Sequence, residues 1–447
     1  RDMSAAPVMS RRALAFYGAP AIPLAMLLLP LYVTLPTYYA KDLGVGFGAV
    51  GMALLLSRLW DVVTDPLIGW ASDRTASRFG RRRPWMVLGV PLVVLAAWLL
   101  FAPPFGVSAA HLLVWTLVLY LGGTMILLPY AAWGAELSDD YNERSRITAV
   151  REATVILGTV LALGVPAVLG LARVEVMAGT AWVLTLLLPA AVLLAVLTLP
   201  DPPVPAPARR PKAHGGLRAG WRQLRGNVAF RCLVGAHFVN GIAYGLPATL
   251  FLLYVEEVLQ APDWAWPLLG VYFLSAIAGV PFWLRVARRH GKHRAWQAAM
   301  ALAAATFWIA MLLGPGDVGI FLVLCVVTGL PLGAELALPP SMQADVVDLD
   351  TLHSGRRRAG LFFSAWGVAT KVPLALAVGI AFPLLDVAGF ARDATGAQEP
   401  AALWTLAALY SLLPVAIKLA AIWILHAYPI DAAEQQRIRA ALAAQAG

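Results

Sequence analysis

The chain has 447 residues, 60% hydrophobic and 13% charged, with a formal net charge of +9. A soluble domain is about 45–50% apolar and about 25% charged, so these few charges cannot cover a soluble fold of this size, and lipid is the solvent the composition requires. The basic excess does not point to nucleic acid, because Lys and Arg sit in short blocks between apolar runs, the pattern of cytoplasmic loops.

The runs are too long for buried soluble helices, since a span takes about 20 mostly apolar residues. Six come first, with cores at 13–39, 46–70, 84–101, 111–136, 147–171 and 178–199. A Pro-, Gly- and Arg-rich stretch follows, reading PDPPVPAPARRPKAHGG. Six more have cores at 229–255, 265–284, 294–313, 319–346, 359–385 and 401–426. Lipid cannot satisfy an open backbone, so every run is predicted to be a helix. The expectation is an all-α membrane protein of twelve transmembrane helices in two six-helix bundles. Its parts are an N-terminal bundle at 10–199, a cytoplasmic linker at 200–226, a C-terminal bundle at 227–430 and a cytoplasmic tail at 431–447.

Arg11, Arg12, Arg81 to Arg83, Arg144, Arg146, Arg209, Arg210, Lys212, Arg285, Arg288, Arg289 and Arg356 to Arg358 fall on one side. Lys41, Arg173 and Arg392 fall on the other. The first side is expected to be the cytoplasm, with both termini there, in an inner or plasma membrane. The basic loop from Asp73 to Arg83 has a counterpart from Arg285 to Arg294 at the same place in the second half, which suggests parallel six-span repeats. Cys232 and Cys325 lie inside apolar runs and are expected to be small buried hydrophobes. The histidines show no catalytic or metal-ligand spacing, so the chain is not expected to be an enzyme.

Ionisable residues within spans are costly and mark function by default. The second span carries Arg58, Asp61 and Asp65. The aspartates are four residues apart, which puts them on one helix face. Two carboxylates in a low dielectric resist ionising together, so they need a bound cation, a shared proton or a basic partner. A static ion pair of Arg58 with Asp61 or Asp65 is the bland alternative. Pro66 frees the carbonyl of Val62, another oxygen ligand. Lys371, deep in the eleventh span, needs an anionic partner: an aspartate, a substrate group, or Glu335 in the tenth span.

The second-span sequence from Trp60 to Gly69, with Ser72-Asp73-Arg74-Thr75 and Gly80-Arg81-Arg82-Arg83-Pro84-Trp85, resembles the glycoside–pentoside–hexuronide:cation symporters. These are the melibiose permease-like members of the major facilitator superfamily. The resemblance continues at Pro129-Tyr130, at Asp139 to Arg146, at Ala344 to Asp348 and around Lys371. It implies alternating access between two bundles and cation-coupled symport of a sugar or glycoside. It implies a cation site, for Na+ or H+, on Asp61, Asp65 and Thr124, with no other cofactor. Substrate contacts are expected from Lys371, Arg151, Glu335 and Tyr130, and gating or ion-pair roles from Arg58, Asp73 and Arg81.

Two positions depart from that pattern. Ala25 and Leu127 stand where melibiose permease places sugar-binding aspartates. Ala and Leu cannot hydrogen-bond sugar hydroxyls, which argues against a galactoside. The animal sodium-dependent lysophosphatidylcholine symporters share the second-span aspartates and the eleventh-span Lys, and carry an apolar cavity. A cation-coupled transporter of lysophospholipids or other amphiphiles is therefore the alternative, with Lys371 or Arg151 on the phosphate. A non-transporting sensor or scaffold is the rival of another class. The expected partners are a small or amphiphilic solute and membrane lipids, with the chain a monomer that binds no nucleic acid.

Overall fold

A computed structural model describes residues 9–75, 77–104, 106–138, 141–200, 225–354, 359–390 and 398–446. The expected Asp139 and Asp140, linker residues 201–224, Arg356 to Arg358 and Arg392 lie outside the described residues. Among those described, there is no strand, and twelve helices are long and apolar enough to cross a membrane. They are Arg11–Asp42, Phe47–Arg74, Arg83–Phe101, Ala109–Gly134, Arg146–Leu169 and Arg173–Thr198, then Val228–Val258, Pro262–His290, Lys292–Leu312, Val318–Leu352, Ala365–Val387 and Pro400–His426. The chain divides into two compact units, one of Arg1–Ala208 with Arg392–Thr395, the other of Arg209–Ala391 with Gly396–Gly447.

In the first unit, prolines shape the opening span. Pro20, Pro23, Pro30 and Pro36 each lack the amide that an α-helix needs, and the span is broken into Arg11–Gly18, Ala21–Leu29 and two wider π-turns, Pro30–Thr34 and Tyr38–Asp42. At its end Leu43 N donates to Tyr38 O at 3.0 Å and Val45 N to Tyr39 O at 3.0 Å. The Tyr39 hydroxyl donates to Leu100 O at the end of the third span.

The second unit repeats this ending. The seventh span closes on a π-turn, Tyr254–Val258, where Leu259 N donates to Tyr254 O and Ala261 N to Val255 O. The Tyr254 hydroxyl donates to Ala310 O at the end of the ninth span. The two units thus share a π-turn ending, with the bonding tyrosine one position earlier in the second. Glycines let the eighth and tenth spans touch backbone to backbone: a Cβ at Gly279 would strike Leu330 O, and one at Gly333 would strike Ala276 O. The segment expected as a tail holds a helix, Ala432–Ala446, whose Ile438 is buried in the same apolar cluster as Trp296, Met342 and Tyr428.

Candidate functional site

The second span is one helix, Phe47–Arg74, that runs through Pro66. Its four-residue spacing brings Asp61 and Asp65 to one face, and that face meets the fourth span, Ala109–Glu136. Thr124 of the fourth span is buried between them. Its Oγ1 lies 3.0 Å from Asp61 Oδ1 and 2.9 Å from Asp65 Oδ1. Asp61 is buried, and the Thr64 hydroxyl donates to its backbone carbonyl.

A hydroxyl carries one proton and two lone pairs. Thr124 can donate to one carboxylate only. Both short contacts are hydrogen bonds when the other carboxyl holds a proton and donates to Thr124. The same three oxygens form an all-oxygen set suited to a hard cation. Among the described residues, no group of three or more His, Cys, Asp or Glu could hold a metal ion.

The Arg58 guanidinium stacks over the Tyr32 ring at 4.1 Å, a cation–π contact with the first span. Asp73 and Arg81 join one network but not each other. Arg82 binds Asp73 at 2.8 Å, Glu136 at 2.7 Å and the Ser72 hydroxyl at 2.8 Å, and Arg81 binds Glu136 at 2.5 Å. Partial burial pushes the Glu136 carboxyl up, but the hydrogen bonds and charges of Arg82 and Arg81 outweigh it and hold the group below its ordinary range. Of the three adjacent arginines, Arg82, the residue that caps the third span, is the buried hub, and Arg81 reaches Glu136 alone.

Arg151 and Tyr130 fall together near the start of the first span. Arg151 pairs with Glu152 at 2.7 Å, and Tyr17 lies within hydrogen-bond reach of it. Tyr130, expected among the substrate contacts, is buried. Its hydroxyl donates to Tyr17 O at 2.6 Å, and the two rings lie 4.9 Å apart. Its polar atom is engaged by the backbone, so it packs the first span against the fourth.

In the second unit Glu335 does not partner Lys371. It binds Lys418 of the twelfth span, Oε1 to Nζ at 2.6 Å, and Lys418 Nζ also donates to Asn240 of the seventh span at 2.8 Å. Both charged side chains are at least nine-tenths buried, with exposures of 7% and 10%. Beside them, His237 stacks on Trp366 at 4.0 Å. Thr370, the residue before Lys371, donates its proton to Trp366 O at 3.0 Å, so it accepts from His237 Nε2 at 3.1 Å. Lys418, Asn240 and His237 were missed in the sequence. Lys418 sits eight residues before the span's end at His426, where a Lys ordinarily snorkels to the interface.

A family profile described as MFS/sugar transport protein matches residues 16–432. The chain belongs to this family. It is a major facilitator superfamily transporter, a multi-pass membrane protein and not an enzyme. Within reach of this family, the chain is 27% identical over 432 residues to the sodium-dependent lysophosphatidylcholine symporter 1 of Mus musculus, covering 88% of this chain and 80% of that one. It is 28% identical to an uncharacterized symporter of Synechocystis, covering 90% and 91%. It is 24% identical to a sphingosine-1-phosphate transporter of Xenopus tropicalis, covering 85% and 80%. Among solved structures, the nucleoside transporter NupG superposes with a TM-score of 0.67 at 13% identity, over 93% of this chain and 99% of that one. A bacterial homologue of the lysosomal transporter Spinster superposes with a TM-score of 0.63 at 14% identity, covering 93% and 94%. These likenesses carry the fold. For the MFS/sugar transport family member described here, they account for the twelve helices and leave the solute to the residues of the site.

Proposed function

We propose that this transporter is a cation-coupled symporter, in which Asp61, Asp65 and Thr124 take the coupling cation and the solute is an amphiphile of the lysophospholipid class. The observation that carries the coupling is the single Thr124 hydroxyl held between two carboxylates. With one proton on the pair, the site has a net charge of −1. With both carboxylates ionised around one monovalent cation, the net charge is again −1. Exchange between the two states therefore leaves the net charge of the site unchanged, which matters in the membrane interior, where added charge is costly. Na+ and H+ both satisfy this balance. Pro66 leaves the Val62 carbonyl without its helical donor, and that oxygen is available as a further ligand.

For the solute, the support is apolar substitution. Ala25 is 3% exposed, and a Cβ on Gly158 would press against it; a sugar-binding carboxylate has no room there. Leu127 replaces the other aspartate. The named relatives that handle lysophosphatidylcholine and sphingosine-1-phosphate share most of this chain's length. Lys371 or Arg151 is the cation that would orient a phosphate. The basic loops support a cytoplasmic position for both termini.

The test is thermal stabilisation of the purified chain by lysophosphatidylcholine, sphingosine-1-phosphate, melibiose and nucleosides, each with and without sodium. Ligands that bind the folded state raise its melting temperature. Stabilisation by the lysolipid, enhanced by sodium or by low pH, is expected. Stabilisation by the sugar alone contradicts the amphiphile reading and returns the chain to the glycoside–pentoside–hexuronide:cation symporters.

A further inference from the structure

The seventh span meets the eleventh along one stripe of residues on each helix. On the seventh the stripe is His237, Gly241 and Gly245; on the eleventh it is Trp366, Thr370, Pro373 and Ala377. Steps of three and four residues put each set on a single helix face. A Cβ at Gly241 would lie 2.7 Å from the Cβ of Pro373, and one at Gly245 would lie 2.8 Å from the Cβ of Ala377. The glycines therefore let the two helices approach closely. At the other end of the stripe the contact is polar. His237 stacks on Trp366 with ring centres 4.0 Å apart and planes 11° apart, and its Nε2 donates to the Thr370 hydroxyl at 3.1 Å.

Lys371 follows Thr370 and is off this stripe. At about 3.6 residues per turn it leaves the helix about 100° round from Thr370. Whatever fixes the rotation of the eleventh span at Thr370 thus fixes the direction of Lys371. We propose that His237 is a positioning residue for Lys371, setting the angle at which its ammonium group meets the solute. This role rests on Lys371 being a solute contact.

The helix is weak where it carries Lys371. Pro373 has no amide to give, so the carbonyl of Ala369 loses its helical donor, although the helix runs through the proline. The seventh span holds this turn from both ends, at Trp366 and Thr370 before Lys371 and at Pro373 and Ala377 after it. The two holds differ in kind. Glycine against proline and alanine sets how near the helices come but grips rotation little, because no directional contact is made. A hydrogen bond and a parallel ring stack are directional. The bond also has one workable arrangement. Thr370 gives its single proton to Trp366 O at 3.0 Å, so towards His237 it can only accept. The imidazole is 8% exposed, and a buried donor without its acceptor is costly.

The experiment is a double-mutant cycle on binding to the purified full chain. The probe is lysophosphatidylcholine, and a monoacylglycerol of the same acyl chain is the control without phosphate. His237→Phe keeps a ring on Trp366 and removes the N–H; His237→Gln keeps an N–H donor. His237→Phe is expected to weaken lysophosphatidylcholine binding about tenfold, to leave the monoacylglycerol unchanged, and to cost nothing further in a Lys371→Met chain. His237→Gln is expected to recover most of the loss. A loss of equal size with and without Lys371, or on both probes, marks His237 as a packing residue and overturns the proposal.

A second measurement needs no solute. Lys371→Cys is introduced into a chain carrying Cys232→Ser and Cys325→Ser, and its rate of alkylation by a water-soluble maleimide is compared with and without His237→Phe. A several-fold change is expected, and an unchanged rate overturns the proposal. If lysophosphatidylcholine binds wild type and Lys371→Met alike, the assignment of Lys371 to the solute fails, and the alkylation rate still decides whether His237 directs the side chain at that position.

Discussion

At the scale of single residues, the account rests on one hydroxyl between Asp61 and Asp65. Thr124→Ala removes the hydroxyl that bridges the buried Asp61 and the half-buried Asp65, and Thr124→Ser restores the oxygen. We expect the alanine variant to lose cation affinity by on the order of tenfold or more, as an oxygen partner is removed from a buried charged site, and the serine variant to keep most of it. Sodium titration of thermal stability measures both. Lys418 makes the second residue-level prediction. Removing one partner of a buried ion pair costs about 3–5 kcal/mol, whereas replacing both by apolar or neutral groups is often tolerated. Lys418→Met should therefore destabilise the chain strongly, and Lys418→Met with Glu335→Gln should recover most of the loss in denaturant or thermal unfolding. The aspartates were legible in the sequence because carboxylates four apart in an apolar helix have few innocent explanations. The partner of Glu335 was not, because sequence ranks Lys371 by depth alone, and only the packing of the seventh, tenth and twelfth spans brings Lys418 to it.

At the scale of elements, the first and fourth spans meet at Gly134, where an added Cβ would collide with the Tyr17 hydroxyl. Gly134→Ala must displace a buried ring packed at a tilt against Tyr130, and overpacking of this kind costs about 1–3 kcal/mol; a lowered melting temperature checks it. The loop after the second span is clamped to the end of the fourth by Arg81, Arg82 and Glu136. The Glu136 carboxyl is held below its ordinary value in the folded chain. Its stabilising contribution is therefore complete above the unfolded carboxylate range, near about pH 4.3, and is lost as pH falls through the lower folded value. The stability difference between wild type and Glu136→Gln should be constant near neutrality and shrink on acidification, read from melting temperature against pH. A difference that grows on acidification contradicts the clamp. The sequence showed that a basic loop stood here. It did not show which arginine turns inward, because three neighbours on a helix start differ only in phase. The π-turns at the ends of the first and seventh spans were equally hidden, since they depend on which backbone carbonyl each amide reaches, which an apolar run does not specify.

At the scale of the whole molecule, hydropathy alone placed all twelve spans, because lipid allows a long apolar run no other backbone. The ends moved most where polar residues continue a helix beyond the bilayer. The tenth span is the clearest case, continuing from its expected end at Val346 to Leu352. The superfamily also followed from residues, through the second-span motif, while its branch and the solute did not, because solute recognition depends on absent carboxylates as much as on present cations. The central claim is that Asp61, Asp65 and Thr124 couple a cation to transport. Uptake of labelled lysophosphatidylcholine into proteoliposomes, driven in turn by inward sodium and proton gradients, tests it most directly. Wild-type uptake should rise with one of the gradients, and Asp65→Asn should bind the solute yet show no response to either; gradient-driven uptake undiminished in Asp65→Asn would contradict the account.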